Sequence, residues 1–355
     1  MIFATLIFIL MLAVLILGHE TGHFLAAKKM GVRVDEFGIG FPPRLFSFKK
    51  KETTYSINLL PLGGFVKLLG EDGQEKQGPN SFASKKIYQR AIILVAGVLM
   101  NLVLAWFFIS ANLIIGVPQS VNSGEGNAPV QVIETVKNSP AEKIGIEPGD
   151  KILSASFDDQ KIKISDPEDL TNFVLQHKGQ LIFLEIQKGN LTINTEVQLP
   201  ENSITGSGIL GVSLAKVELH RYPWYVALWK GLVITAQSVA FFAWEILKII
   251  YSALTGHNVS DYLSGPLGIA KITFQAVRMG IGYVLQLAFL LSINLAILNI
   301  LPIPALDGGR LFFLAIEKIK GSPLNPKVEQ RANLVGFVAL IVLMILITIK
   351  DIIKF

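Results

Sequence analysis

The chain contains no cysteine and few charged residues. Among its 355 residues only 17% are Asp, Glu, Lys or Arg, against roughly 25% in ordinary soluble domains. The lack of cysteine excludes a disulfide framework and thiolate metal ligands. Hydrophobic residues instead make up 51% of the chain, and the mean hydropathy is +0.51. This composition predicts an integral membrane protein.

Basic residues cluster beside the apolar runs, so the net charge of +5 indicates no nucleic-acid partner. The stretch from Lys28 to Arg90 carries 12 Lys or Arg, and the stretch from Lys318 to Arg331 carries 4. The positive-inside rule places both stretches in the cytoplasm. A cleavable signal peptide fits residues 1–18 poorly, because no positive residue precedes the apolar run and no small-x-small site follows it.

Five apolar segments are present: residues 2–17, 87–116, 224–254, 281–316 and 334–349. The chain is outside at residue 116 and inside at Lys318, so it must cross the membrane an odd number of times between them. Two apolar segments lie in this interval, and one of them must therefore not cross. Residues 220–256 are therefore expected to form an interfacial amphipathic helix, because this segment carries Lys230, Glu245 and Lys248. The expected fold is a multi-pass α-helical membrane protein with four spans and both termini outside. Five spans are the alternative.

A soluble insert at residues 118–219 separates two membrane parts, residues 1–117 and 257–355. Strand-like runs occur at residues 130–136, 151–157, 181–188 and 191–199, with Gly189-Asn190 as a hairpin turn. Short helices are expected at residues 140–144 and 167–176. The insert is therefore expected to be a β-rich extracytoplasmic domain with one core.

His19, Glu20 and His23 form an H-E-x-x-H motif directly behind the first apolar run. Residues four apart share a helix face, about 6 Å apart along the axis, so both imidazoles can bind one metal ion. The glutamate between them is then placed to take a proton from water, as in zinc peptidases. Two helix-end histidines at a membrane interface are the alternative. Ionisable groups at membrane depth are costly and usually functional, which favours the metal site.

The cytoplasmic segment contains two apolar strand-like runs, residues 55–60 and 65–69, joined by Pro-Leu-Gly-Gly. We expect a β-hairpin at residues 53–69 that re-enters the membrane, where protein or a water-filled cavity must satisfy its backbone. A free strand edge beside a metal can hold a substrate in extended form. The expected substrate contacts are Tyr55, Ile57 and Leu59. A surface hairpin packed on the bilayer is the alternative.

The third metal ligand is expected within residues 299–309, where two prolines and two glycines interrupt an apolar helix. A buried, unpaired Asp307 would be neutralised, and a nearby dication removes that penalty. With His19 and His23 it supplies two nitrogens and an oxygen, and a fourth tetrahedral position stays open. A helix cap is the alternative role for Asp307. Asn299 either hydrogen-bonds substrate or caps the broken helix.

Taken together, these motifs resemble the bacterial site-2 proteases of the RseP type. The markers are H-E-x-x-H in the first span, P-L-G-G-F-V-K at residues 61–67, S-G-P-L-G-I at 264–269 and N-x-x-P-x-P-x-L-D-G at 299–308. Residues 138–153 of the insert resemble PDZ domains of bacterial envelope proteases; a generic small β-rich domain is the alternative. The markers cover nearly the whole chain in the family's order.

The resemblance implies zinc on His19, His23 and Asp307, with Glu20 as general base. Substrate contacts are also expected at the helix break: Asn299, Pro302 and Pro304. The implied reaction is cleavage within single-pass membrane proteins that have already been trimmed outside, with the PDZ region as a size filter. Two departures are the room for only one PDZ domain and the sequence Gly-Phe-Pro at residues 40–42, where some relatives have Gly-Phe-Gly.

The chain is therefore expected to be a zinc intramembrane endopeptidase of the bacterial inner membrane. Its PDZ domain would lie outside and its active site near the cytoplasmic face. The expected partners are single-pass membrane substrates, the lipid bilayer, and termini or extended segments on the PDZ domain, without nucleic acid. Two rival functions are an inactive membrane PDZ scaffold and a membrane zinc protease acting on soluble misfolded chains. Clearance of signal-peptide remnants is a role that fits the same reaction.

Overall fold

A computed structural model of the chain describes residues 2–71, 78–120, 128–189, 191–202, 208–257 and 265–354. The chain divides into two compact units. The first, called here the helical unit, comprises Met1–Ser110, Leu228–Thr273 and Gln286–Phe355. The second, called here the β unit, comprises Ala111–Ala227 and Phe274–Leu285.

Helices and strands are numbered in chain order. The described helices are α1 (Ile2–Lys29), α2 (Ile87–Ile115), α3 (Pro140–Lys143), α4 (Pro167–Gln176), α5 (Trp224–Leu254), α6 (Pro266–Met279), α7 (Ile281–Ile300), α8 (Asp307–Lys320) and α9 (Pro326–Lys354). The described strands are β1 (Val34–Lys50), β2 (Thr53–Leu68), β3 (Val117–Ser120), β4 (Val130–Thr135), β5 (Lys151–Phe157), β6 (Gln160–Lys163), β7 (Leu181–Lys188), β8 (Leu191–Gln198) and β9 (Val212–His220).

Five of the described helices, α1, α2, α5, α7 and α9, are long and apolar enough to cross a membrane. They correspond to the five apolar segments marked in the sequence, and length and composition do not test the expectation that α5 lies at the interface. Two of its three charges offset each other, because Lys248 Nζ donates to Glu245 Oε1 at 2.7 Å. Apolar side chains of α5 from Ile234 to Ile246 pack against a cluster formed by α2 and α7. Such lengthwise packing was not expected of an interfacial helix.

The number of membrane crossings stays a prediction. Within the β unit, the end of α2 lies beside the start of α7: a Cβ atom added at Gly282 would be 3.2 Å from Asn112 Oδ1. The chain between these residues therefore begins and ends at the same place. The four-span topology requires this arrangement, because it allows no net crossing between α2 and α7.

Helices α1 and α2 run antiparallel and approach closely through glycines. A Cβ atom added at Gly22 would lie 2.2 Å from the carbonyl oxygen of Ala96. At Gly97 an added Cβ would lie 2.3 Å from His23 Nε2. Neither position has room for a side chain, so the two backbones meet at the level of the H-E-x-x-H motif.

Both long strands of the helical unit are bent, and their halves interleave. The first half of β1 (residues 34–39) pairs with both halves of β2, since Gly38 has Ser56 on one side and Phe65 on the other. The second half of β1 (residues 44–50) pairs with the first half of β2 (residues 53–58). The second half of β2, from residue 64, is therefore the outer segment on its side of the sheet.

This register corrects the hairpin expected at residues 53–69. Its two runs do not pair with each other; each pairs with β1 instead. The glycines after residue 62 suggested a tight turn, but the longer β1 strand supplies hydrogen-bond partners to both runs. Register here depends on pairing with the whole of the preceding strand, which the local sequence of the two runs does not reveal.

The β unit contains an antiparallel sheet in the order β3-β9-β4-β5-β7-β8, with β6 paired to β5. Strand β7 alternates buried and exposed residues, and its inward side chains Ile182, Leu184 and Ile186 belong to the apolar core. Pairing of β3 with β9 joins Val117 to His220 and closes the unit where the insert begins and ends.

The sequence predicted much of the β unit. Strands β5 and β7 and helix α4 have the expected bounds, while β4, β8 and α3 end one residue early. Strands β3, β6 and β9 were not predicted. The Gly189-Asn190 turn lies partly outside the described residues, but the pairing of Lys188 with Leu191 confirms the hairpin.

Candidate metal centre

Three side chains converge between α1 and the start of α8. His19 Nε2 lies 3.0 Å from Asp307 Oδ2, and His23 Nε2 lies 3.2 Å from the same oxygen. The two histidine Nε2 atoms are 3.1 Å apart. In the part of the chain that the structure describes, this is the group of His, Asp and Glu side chains whose spacing suits a metal ion.

The donor set fits a tetrahedral zinc ion. Ligands about 2.0–2.1 Å from a tetrahedral zinc lie about 3.3 Å apart, close to the three measured separations. His23 Nδ1 lies 2.9 Å from the carbonyl oxygen of Ile93, which can only accept, so Nδ1 carries a proton. In the neutral ring, Nε2 then directs a lone pair toward Asp307 Oδ2, a buried oxygen without a hydrogen-bond partner. A cation between these electron-rich atoms resolves the conflict.

The break between α7 and α8 positions Asp307 as the first residue of α8. Two glycines follow it because the turn folds back on the helix: an added Cβ at Gly308 would lie 2.1 Å from the carbonyl oxygen of Leu301. Ala305 has a positive φ of 77°, and its N–H donates to Asn333 Oδ1 at 3.0 Å. The turn is thus held against α9.

A cavity of about 400 Å³ opens beside the three ligands. Glu20 and Asn299 line it, as does part of the edge segment, defined here as residues 63–68 of β2. Glu20 lies directly against this segment, since a Cβ atom added at Gly64 would be 3.1 Å from Glu20 Cγ. One cavity therefore contains a metal-ligand set, a carboxylate and a strand.

The structure brings most of the expected site residues together. Asn299 Nδ2 lies 3.3 Å from His19 Nε2, whereas Pro302 and Pro304 belong to the turn and are not among the cavity residues. The backbone of Pro304 packs against Gly336 of α9. Three other expected contacts also lie outside the cavity lining: Tyr55, Ile57 and Leu59. Tyr55 and Ile57 belong to the first half of β2, which is paired on both sides, and Leu59 follows it directly. Their role in substrate binding stays a prediction.

Several residues around the metal centre were not predicted. Ile93, Gly97 and Asn101 recur every four residues on the face of α2 that meets the two histidines. The signal for Asn101 was present, because a polar residue inside an apolar span is costly and usually functional. The ion pair of Arg310 with Glu71, which joins α8 to the segment after β2, was also missed. No local pattern in the sequence indicates that pair.

Comparison with known proteins supports this chemistry. Residues 7–343 match the model of peptidase family M50. A Clostridium perfringens protein, named as a predicted zinc metalloprotease, is 39% identical over 99% of this chain and 98% of its own length. The zinc metalloprotease RasP of Geobacillus kaustophilus is 30% identical over 98% of this chain and 97% of its own length. The regulator of sigma-W protease RasP of Bacillus subtilis is 29% identical over 97% of each chain. The family match covers nearly the whole chain and includes every residue of the cluster, so this protein belongs to peptidase family M50.

Proposed function

We propose that the protein is a zinc-dependent endopeptidase that cleaves peptide bonds within transmembrane segments of single-pass membrane proteins. The observation that carries this proposal is the position of the ligands. His19 and His23 lie on α1, a helix apolar enough to span a membrane, and the cavity beside them contains a strand edge. Ionisable groups at membrane depth are costly and usually functional, and a site there is suited to a substrate that itself lies in the membrane.

Each residue of the site has a chemical role in peptide hydrolysis. His19, His23 and Asp307 would hold zinc, which would supply Lewis-acid chemistry by lowering the pKa of water and polarising a peptide carbonyl. Glu20 accepts the proton of the attacking water and passes it to the leaving amine. Asn299 carries an amide that can donate to the carbonyl oxygen as negative charge develops there.

The edge segment is the proposed substrate-binding strand. Its residues from Gly64 to Leu68 pair with β1 on one side, and no described strand pairs with its other edge. An extended peptide can add to that edge through main-chain hydrogen bonds. A transmembrane helix must unwind to do so, and this exposes a peptide bond that helical hydrogen bonding otherwise shields. Substrates whose helix contains glycine, proline or other weak helix formers are therefore expected to be cleaved faster.

The proposed location is the inner membrane of a bacterium, with the β unit outside and the metal centre near the cytoplasmic face. Basic residues on both sides of the edge segment support this orientation. Residues 118–219 of the β unit, proposed to be a PDZ domain, would bind termini or extended segments and exclude substrates that have not been trimmed outside. A reporter active only outside the cytoplasm should work at Asp158 and at the C-terminus and fail at Gly321. Activity at Gly321 would contradict the four-span topology.

The deciding experiment uses the purified protein in liposomes with a single-pass model substrate. Glu20→Gln should keep the fold, the zinc and substrate binding, because glutamine preserves shape, but lose about 100- to 10,000-fold in turnover. A Glu36→Gln variant, which changes a carboxylate outside the cavity lining, is the matched control. Undiminished cleavage by Glu20→Gln would overturn the mechanism. Cleavage of unfolded soluble chains but of no membrane substrate would favour the rival protease function, and no cleavage at all would favour the scaffold.

A further inference from the structure

Helix α2 contacts the second ring nitrogen of each histidine of the metal centre. His23 and His19 are one turn apart on α1, and the groups that meet them, the carbonyl of Ile93 and the side chain of Asn101, are two turns apart on α2. Gly97 lies midway between these groups, where an added Cβ would also be 2.8 Å from His19 Cε1. The ring of His23 is oriented by a carbonyl oxygen, whereas the ring of His19 meets an amide.

Asn101 is completely buried and only partly satisfied. Its Nδ2 lies 3.3 Å from His19 Nδ1, while its Oδ1 has no hydrogen-bond partner. An imidazole that offers Nε2 to a metal carries its proton on Nδ1, and that proton needs an acceptor. A half-turn of the amide exchanges Oδ1 and Nδ2. Oδ1 then accepts from His19 Nδ1, so the exchange gives a partner to the unpaired oxygen and to the Nδ1 proton.

The surroundings favour Asn101 over Asn299 for this task. Asn299 Nδ2 is 3.4 Å from His19 Nδ1 and 3.3 Å from Nε2, so it lies in line with neither ring nitrogen. The backbone at Asn101 is anchored, because the Ser292 hydroxyl of α7 donates to its carbonyl oxygen at 2.7 Å. The amide is therefore held at a defined height beside His19, while Asn299 stays available to substrate.

We propose that Asn101 is a positioning residue whose side-chain oxygen accepts a hydrogen bond from His19 Nδ1 and thereby keeps His19 Nε2 directed at the metal. The proposal rests on the proposed zinc site. Outer hydrogen bonds of this kind hold a ligating histidine in one tautomer and orientation, and their loss typically weakens metal binding about 10- to 100-fold. Asn101 itself touches neither metal nor substrate in this scheme.

Zinc affinity, measured by competition with a chelator on the purified full-length protein, tests the proposal independently of catalysis. Asn101→Leu should bind zinc about 10- to 100-fold more weakly. Asn101→Asp should bind within about threefold of the wild type, since a carboxylate also accepts from Nδ1–H. The matched control is Asn112→Leu, which removes another completely buried amide from α2 and should leave affinity unchanged. The visible spectrum of the Co²⁺-substituted protein should lose tetrahedral character in the Leu variant alone.

Two results would overturn the proposal. Wild-type affinity in Asn101→Leu would show that the amide does not orient His19. An Asp variant that binds zinc about 10- to 100-fold more weakly than the wild type would show that the amide acts through its N–H groups, and this measurement decides the matter even if the Leu variant fails to fold. Failure of the proposed function looks different: the wild-type protein would then bind no zinc, or bind it and cleave no membrane substrate.

Discussion

The two units differ in the kind of cluster at their centres and in the side chains they expose. The β unit buries an apolar cluster that includes Val132 on β4 and Leu184 on β7, and it leaves charged residues outside this cluster. The helical unit buries His19, His23 and Asn101 and exposes large apolar side chains along α1. A membrane-facing surface removes the need to hide apolar groups, so the interior can be used for polar chemistry.

This contrast separates stability from function. Apolar burial in the β unit follows the two-residue period of its strands and can stabilise that domain in water. In the helical unit, close packing through glycine brings polar atoms together that lipid would otherwise exclude. Substitutions in the two regions should therefore differ in kind: those near the cluster of metal ligands should affect zinc, and those in the β core should affect folding.

The largest effect is expected at Asp307. Asp307→Ala removes one of three ligands, so the purified protein should lose its zinc, and with it all measurable turnover. His177→Ala is the control, since His177 lies in the β unit and its Nδ1 donates to the carbonyl oxygen of Phe173. Metal content by elemental analysis measures both variants. Full zinc in Asp307→Ala would remove this residue from the ligand set. Substitutions in the two units would then have the same lack of effect on zinc content.

A smaller but clear effect is expected at Gly97. Gly97→Ala places a methyl group 2.3 Å from His23 Nε2, and one histidine must move. Overpacking of about 1–3 kcal/mol corresponds to zinc binding weaker by about 5- to 150-fold. Leu99→Ala, an exposed position on the same helix, should leave binding unchanged. Equal zinc affinity in the two variants would show that close packing of α1 on α2 does not determine the site.

The edge segment should show a moderate effect. Proline at Phe65 or at Val66 removes one backbone N–H, and N–H groups of successive residues point to opposite edges of a strand. One of the two variants should therefore raise KM for a membrane substrate about 2- to 10-fold through a lost hydrogen bond. Ile57→Ala should change KM less, because the first half of β2 is paired on both sides. A larger change in KM for Ile57→Ala would support the substrate contact at Ile57 that the sequence predicted.

The smallest effect on the metal centre is expected from the β core. Ile186→Ala creates a cavity in a completely buried position and should destabilise the β unit by about 2–5 kcal/mol. Faster amide hydrogen exchange in β7 would report this loss. Zinc content should stay at the wild-type level. Loss of zinc in this variant would contradict the separation of the two units.

Sequence periodicity predicted the β unit well because each strand is short and one face is buried. Strand β7, with Ile182, Leu184 and Ile186 pointing inward, is the clearest case. The span count was less secure at α5, where three charged residues suggested an interface although two of them, Glu245 and Lys248, form an ion pair. Composition alone does not reveal which charges are paired.

The metal centre was predictable in part for a physical reason. Helical spacing of four residues places His19 and His23 together wherever the rest of the chain goes, and Asp307 stands out as a carboxylate among apolar neighbours. The interleaved pairing of β1 and β2 was not predictable, because it joins residues up to 34 positions apart, as Val34 and Leu68 show. The local glycines favoured the wrong partners.

Sequence by itself determined the chemistry: two nitrogens, one carboxylate oxygen and a general base, carried by residues whose spacing or isolation in apolar surroundings makes them visible. Tertiary structure decided the geometry. It placed Ile93, Gly97 and Asn101 opposite the histidines, and it made the edge segment, rather than the strand containing Tyr55, the wall of the cavity. Covalent spacing is local and survives in any fold, whereas helix packing and strand register depend on contacts between distant residues.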